Sequence, residues 1–224
     1  MSTALPPRPR TRLYLITPPQ IADVAGFTRT LEASLGAGDV ASLQLRLKGA
    51  DGMIDMQATR ELSRAVTAMA QEAGVAVLIN DSAELAKELG ADGVHVGWDD
   101  GPVLAARKLL GPDAIVGATA KNSYHKAMQA GEDGADYVAF GAFYPTATKD
   151  GTVPAELELL QVWQAAMLIP CVAIGGITVG NAEPLVTAGA DFIAVSSGVW
   201  AHPDGPVAAV KAFNDLLDRL APVA

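Results

Sequence analysis

Cysteine is nearly absent from this chain. Cys171 is the single one in 224 residues, which excludes an intrachain disulfide framework and reads as a small buried residue in a reducing compartment. Aromatic residues are scarce too, 5% against a hydrophobic fraction of 50%. A core must therefore be built from Ala, Val, Leu and Ile in repeated layers, which suits an α/β architecture. No apolar run approaches the roughly 20 residues of a membrane span, and the opening stretch MSTALPPRPRTR lacks the apolar segment of a secretory signal. The expectation is a cytoplasmic protein with no membrane partner and a mobile N-terminal tail over residues 1–11. Positive charge is the minority sign, with Lys+Arg 16, Asp+Glu 25 and a net charge of -9. That argues against a broad nucleic-acid surface but leaves an anionic small molecule open as substrate, because a local cluster of cations focuses an opposite field.

What is present is repetition. Short β-branched runs, each bounded by Gly, Asp or Pro and followed by an Ala/Leu-rich stretch with helical spacing, begin at Arg12, Val40, Val75, Asp92, Ala114, Tyr137, Cys171 and Phe192. Gly90-Ala91-Asp92, Gly134-Ala135-Asp136 and Gly189-Ala190-Asp191 repeat one joint, in which Gly ends a helix and a strand follows at once. Alternating β and α units with tight joints predict a parallel sheet. Eight of them in this length favour closure into one (β/α)8 TIM barrel domain over residues 12–224. An open Rossmann-type sheet fits less well, since LYLITPPQ stands where a GxGxxG would follow the first strand.

In such a barrel the chemistry belongs to the C-terminal ends of the strands. In the second strand, period-two alternation puts Leu43, Leu45 and Leu47 on one face and Gln44, Arg46 and Lys48 on the other, either the solvated face of an amphipathic strand or an inward clamp suited to a diphosphate. A closed parallel barrel has helices outside and no solvated strand face, which favours the clamp. The third strand ends in Asn80-Asp81-Ser82-Ala83-Glu84, where Asp81 is either a metal ligand or, with Ser82, a helix cap. The fourth ends in His95-Val96-Gly97-Trp98-Asp99-Asp100; His95 reads as a hydrogen-bonded interior residue, and the carboxylates are either turn residues or ligands. Carboxylates on adjacent loops beside a cationic clamp suggest Mg²⁺, which takes one or two carboxylates plus phosphate oxygens and water. After the sixth strand, Thr146-Ala147-Thr148-Lys149 places two hydroxyls and an ammonium in four residues. Gly175-Gly176 after the seventh strand and Ser196-Ser197 after the eighth let backbone N–H groups approach a phosphate, at the usual phosphate site of these barrels.

Taken together and in order, QLRLK, IND, GVHVGWDD, PTATK, AIGGI with Asn181, and AVSS resemble the thiamine phosphate synthase family from about Leu13 to Trp200. The resemblance implies a transferase in which a pyrimidine-methyl diphosphate loses pyrophosphate and the ring nitrogen of a thiazole phosphate takes its place. It implies that Gln44, Arg46, Lys48, Asn80, Thr119 and Lys149 hold the pyrimidine substrate, with Arg46, Lys48 and Lys149 as the catalytic cations. Asp81 and Asp100 would bind Mg²⁺, and Thr146, Thr148, Gly176, Ser196 and Ser197 the thiazole phosphate. Thr119 stands where Ser is common, Lys121 where His is common, and Trp98 where Gln is usual. Two alternatives are a thiazole tautomerase-like enzyme, which relies on a His where Lys121 stands, and a non-catalytic paralogue that binds thiazole or thiamine phosphate. The sequence leaves a homo-oligomer open.

Overall fold

A computed structural model describes residues 8–98, 101–145 and 154–222. Eight strands, β1 (Arg12–Ile16), β2 (Val40–Leu45), β3 (Ala76–Asn80), β4 (Gly93–Val96), β5 (Ile115–Lys121), β6 (Tyr137–Gly141), β7 (Cys171–Ile174) and β8 (Phe192–Val195), pair in parallel and in sequence order, and β8 closes on β1. The first seven are each followed by a helix: α1 (Val24–Leu35), α2 (Met56–Glu72), α3 (Ala83–Leu89), α4 (Val103–Leu110), α5 (Tyr124–Glu132), α6 (Leu157–Ala166) and α7 (Glu183–Ala188). After β8 come the short α8 (Ser197–Trp200) and the long α9 (Gly205–Arg219). The expected TIM barrel is the observed fold.

Strand alternation sorts the side chains into two cores. Leu13, Leu15, Leu43, Leu45, Val77 and Ile79 point outward into the layer shared with the helices. Tyr14, Ile16, Leu78, Tyr137, Ala139, Val172 and Ala194 fill the barrel itself. Each fully buried Leu or Val contributes about 1.5–3 kcal/mol, so the outer layer carries most of the stability. Cys171 is buried on that outer side, and burial pushes its thiol up to about 12. It is a packing residue.

The repeated Gly-Ala-Asp joint has a physical function. Asp92 donates its N–H to the carbonyl of Val77 and accepts that residue's N–H on Oδ2, at 2.8 and 2.7 Å. Asp136 does the same with Val116, and Asp191 with Cys171. One aspartate thus ties the start of β4, β6 and β8 to the preceding strand, while Gln71, Arg107 and Gln164 hold the same Oδ2 atoms from the helix layer. Hydrogen bonds to a charged acceptor are worth about 1.5–3 kcal/mol. Asp191→Ala is therefore expected to lower the melting temperature by roughly 3–12 °C at 2–4 °C per kcal/mol. Thermal unfolding checks this, and an unchanged midpoint would remove the joint from the list of stabilising features.

At the chain's beginning, residues 8–11 are described. Arg10 donates to Asp218 (2.6 Å) and to the side chain of Asn214 (2.9 Å), both on α9, and Thr11 is buried with its hydroxyl on the carbonyl of Ala190 (2.7 Å). This end of the expected tail is fastened to the N-terminal face of the barrel, and residues 1–7 lie outside the described residues.

Candidate active site

The C-terminal ends of the strands enclose a cavity of about 650 Å³, within the size range of small-molecule sites. Gln44, Arg46 and Lys48 reach it from β2 and the loop that follows, and Asn80 and Asp81 from the end of β3. Arg46 is fixed through its backbone N–H, which donates to the hydroxyl of Thr17 (2.9 Å). Lys48 Nζ pairs with Asp81 Oδ2 at 2.7 Å, the two side chains being 17% and 15% exposed. Asn80 donates to the same oxygen. Among the described lining residues the charged ones are Arg46, Lys48 and Lys121, three cations, and Asp81, one carboxylate. The cavity is locally cationic in a chain of net charge -9, the condition for drawing in an anion.

Asp81 has a left-handed backbone, φ 63°, which Asp tolerates better than most residues, and its side chain turns into the cavity. Capping of α3 falls to Ser82, whose hydroxyl accepts from Leu85 N–H at 3.1 Å. Ser82 therefore caps the helix, and the Asp81 carboxylate is turned instead to Lys48 and Asn80. Lys121, φ 55°, is the other non-glycine residue with positive φ among the described residues, and it ends β5 and lines the same cavity. His95 is buried with Nδ1 on Tyr137 Oη and Nε2 on Thr119 Oγ1, both 2.8 Å, as expected of an interior residue.

The other wall comes from β7 and β8. Gly175 and Gly176 have φ 103° and 64°, and both line the cavity with Ser196 and Ser197. Ser196 donates to the carbonyl of Thr17 (3.2 Å), and Ser197 opens α8. Asn181 supports the glycine turn, donating to Gly176 O at 3.0 Å and accepting Thr178 N–H at 2.7 Å.

The sequence model of the thiamine monophosphate synthase family matches residues 13–199, the span that builds the barrel and both cavity walls. The chain belongs to this family. A thiamine-phosphate synthase of Hyphomonas neptunium is 78% identical over 221 residues, covering 99% of this chain and 100% of that protein. Another from Rhodospirillum centenum is 55% identical over 206 residues, covering 92% and 97%. Among solved structures, thiamine phosphate pyrophosphorylase from Pyrococcus furiosus superposes with a TM-score of 0.79 at 27% identity, covering 95% of this chain and 98% of that one.

Of the residues that the family resemblance singles out, Gln44, Arg46, Lys48, Asn80, Asp81, Thr119, Gly176, Ser196 and Ser197 meet in the one cavity. Asp100, Thr146, Thr148 and Lys149 lie outside the described residues. Trp98 is 40% exposed with Lys126 Nζ 4.8 Å from its ring centroid, and it is not among the residues lining the cavity. The family's Gln-to-Trp departure therefore sits outside the described wall. Residues that the sequence reading passed over are Tyr14 and Tyr137, which hold the inner hydrogen bonds beneath the cavity. Strand alternation was the available signal, since it turns both inward.

Gly176 is constrained twice. Its φ of 64° costs a side-chain-bearing residue roughly 1–2 kcal/mol, and a Cβ there would overlap Pro145 O and Tyr144. Gly176→Val is thus expected to lower the melting temperature by at least about 2–8 °C, at 2–4 °C per kcal/mol, in addition to any effect on ligands. A scanning fluorimetry midpoint equal to that of the wild type would show that the turn adapts.

Proposed function

We propose that the chain joins 4-amino-2-methyl-5-(diphosphooxymethyl)pyrimidine to 4-methyl-5-(2-phosphooxyethyl)thiazole, giving thiamine phosphate and pyrophosphate. The observation that carries this reading is the pairing, in one cavity, of a cationic wall from β2 and β3 with a glycine and hydroxyl wall from β7 and β8. Two phosphorylated molecules placed against these walls have their uncharged ends directed at each other.

The chemistry asks little of the side chains beyond charge and placement. The bond between the pyrimidine methylene carbon and the diphosphate oxygen breaks with its electron pair leaving on pyrophosphate. The thiazole ring nitrogen then donates its lone pair to that carbon. Arg46 contributes a bidentate fork and Lys48 a point charge to the departing oxygens, in a site where fixed cations need no reorganisation as charge develops. Gln44, Asn80 and Thr119 orient the pyrimidine. Gly176, Ser196 and Ser197 hold the thiazole phosphate; Lys149, Thr146 and Thr148, which lie outside the described residues, are the proposed further contributors to the two phosphate sites. Proximity contributes the remainder, since both reactants arrive in line.

The described residues fit Mg²⁺ with Asp81 as one ligand. Its carboxylate stands in the cavity beside the proposed diphosphate clamp, and Mg²⁺ completes its shell with phosphate oxygens and water. Asp100 is the proposed second ligand. When bound, the ion would neutralise charge on the leaving pyrophosphate. The substrates are small phosphorylated molecules. No helix among the described residues is long and apolar enough to cross a membrane, and we infer a cytoplasmic location.

The test is an omission assay followed by mass spectrometry. Thiamine phosphate should form only when the protein, both substrates and a divalent metal are all present. Rearrangement of the thiazole without the pyrimidine would favour the tautomerase alternative. Tight thiazole phosphate binding with no product from folded protein would favour a binding paralogue.

A further inference from the structure

Beneath the cavity a continuous chain of hydrogen bonds crosses the barrel from β3 to β5. Asn80 Nδ2 donates to Asp81 Oδ2, and Gln44 Nε2 donates to Asn80 Oδ1 at 2.6 Å. Tyr14 Oη lies 3.1 Å from Gln44 Oε1 and 2.9 Å from Tyr137 Oη. Tyr137 Oη lies 2.8 Å from His95 Nδ1, and His95 Nε2 lies 2.8 Å from Thr119 Oγ1. Tyr14 and Tyr137 are buried and are not among the residues lining the cavity. Gly117 makes room for the second phenol, because a Cβ there would overlap Tyr137 Cζ and Oη.

This chain has a direction. An ionised carboxylate only accepts, so Asn80 must turn its NH₂ to Asp81 and its oxygen to Gln44. Gln44 is then fixed with its NH₂ on Asn80, and its oxygen can only accept from Tyr14. Having spent its one hydrogen, Tyr14 must accept from Tyr137. Tyr137, its hydrogen spent on Tyr14, must accept from His95 Nδ1. Burial pushes both phenols above their ordinary range, which keeps their hydrogens in place.

We propose that Tyr14 and Tyr137 are positioning residues that transmit the orientation set at Asp81 to His95, holding it as the Nδ1–H tautomer. Nε2 then accepts the Thr119 hydroxyl hydrogen, and Thr119 presents only lone pairs to the cavity. A hydroxyl locked in this way receives a donor on the substrate, such as the amino group of an aminopyrimidine, and turns away an acceptor in the same place. The role of Thr119 toward substrate rests on the proposed function; the tautomer does not.

The tautomer is read without substrate, by ¹⁵N NMR of histidine-labelled protein. The chain has 3 histidines, and the His95 signals are identified by their loss in His95→Asn. We expect a pyrrole-type Nδ1 and a pyridine-type Nε2 in the wild type. A pyridine-type Nδ1, or two pyrrole-type nitrogens, would overturn the proposal whatever any variant does. Tyr14→Phe leaves both partners of His95 in place but cuts the transmission, so Tyr137 is free to reverse. The expected result is a mixed or Nε2–H tautomer, and an unchanged tautomer would show that no orientation is relayed. In steady-state assays the same variant should raise KM for the pyrimidine diphosphate about 2–10-fold, the worth of one neutral hydrogen bond, with KM for the thiazole phosphate unchanged. Equal rises in both would reduce Tyr14 to a packing residue. An inactive wild type with the expected tautomer would refute the proposed function and leave the relay intact.

Discussion

Asp81→Asn is expected to raise the Mg²⁺ concentration needed for half-maximal activity by more than roughly 10–100-fold, the loss that even outer-shell partners of a metal ligand produce. The substitution separates charge from shape. Asparagine tolerates the left-handed backbone at this position, and the α3 cap is the hydroxyl of Ser82, so neither backbone nor helix is disturbed. The Lys48 ion pair is lost, which costs at most about 1.5–3 kcal/mol for a charge-assisted bond, and the site is open to water on its cavity side. What disappears is the anionic oxygen that offsets the cost of stripping water from Mg²⁺. Activity measured against magnesium concentration, beside a melting curve, checks this. Wild-type magnesium dependence in a folded variant would show that Asp81 serves only to orient Lys48 and Asn80.

Arg46→Ala should weaken the enzyme toward the pyrimidine diphosphate by roughly 10–150-fold in kcat/KM, the equivalent of about 1.5–3 kcal/mol for a charge-assisted hydrogen bond. The thiazole phosphate, which the proposal places against the β7 and β8 wall, should keep its KM to within about twofold, since distant sites act independently. Arg46 lies beyond the last residue of β2, and its fixed backbone bond to Thr17 survives the substitution, so the fold is expected to hold. Initial rates with each substrate varied in turn decide the point. Equal losses toward both substrates would move Arg46 from the diphosphate clamp to a general role in the cavity.

The fold was legible because its signals are local. Each strand carries its own alternation, and the Gly-Ala-Asp joint repeats with its aspartate bonded to the neighbouring strand every time. The inward face of β2 and its continuation was legible for the same reason: with Leu43 and Leu45 assigned to the helix layer, alternation sends Gln44, Arg46 and Lys48 to the cavity side, and all three line the cavity. Asp81 and Ser82 could not be told apart in the sequence, since both are good caps. Backbone geometry separates them, with Ser82 extended at φ -127° and Asp81 left-handed at 63°. Tyr14 and Tyr137 were invisible as a pair because 123 positions divide them, and each alone is an ordinary inward-facing strand residue. Arg10 escaped for a similar reason, its partners Asn214 and Asp218 lying at the other end of the chain.

At the centre of the account are two phosphate sites on separate walls of one cavity. A crystal structure with pyrophosphate, the thiazole phosphate and Mg²⁺ bound together tests this most directly. Pyrophosphate oxygens should lie within hydrogen-bond distance of Arg46 and Lys48, with the ion against Asp81. The thiazole phosphate should meet backbone N–H groups at Gly176 and Ser197, its ring nitrogen facing the pyrimidine space. Both phosphates on the β2 and β3 wall, or a thiazole phosphate seated away from Gly176 and Ser197, would contradict it.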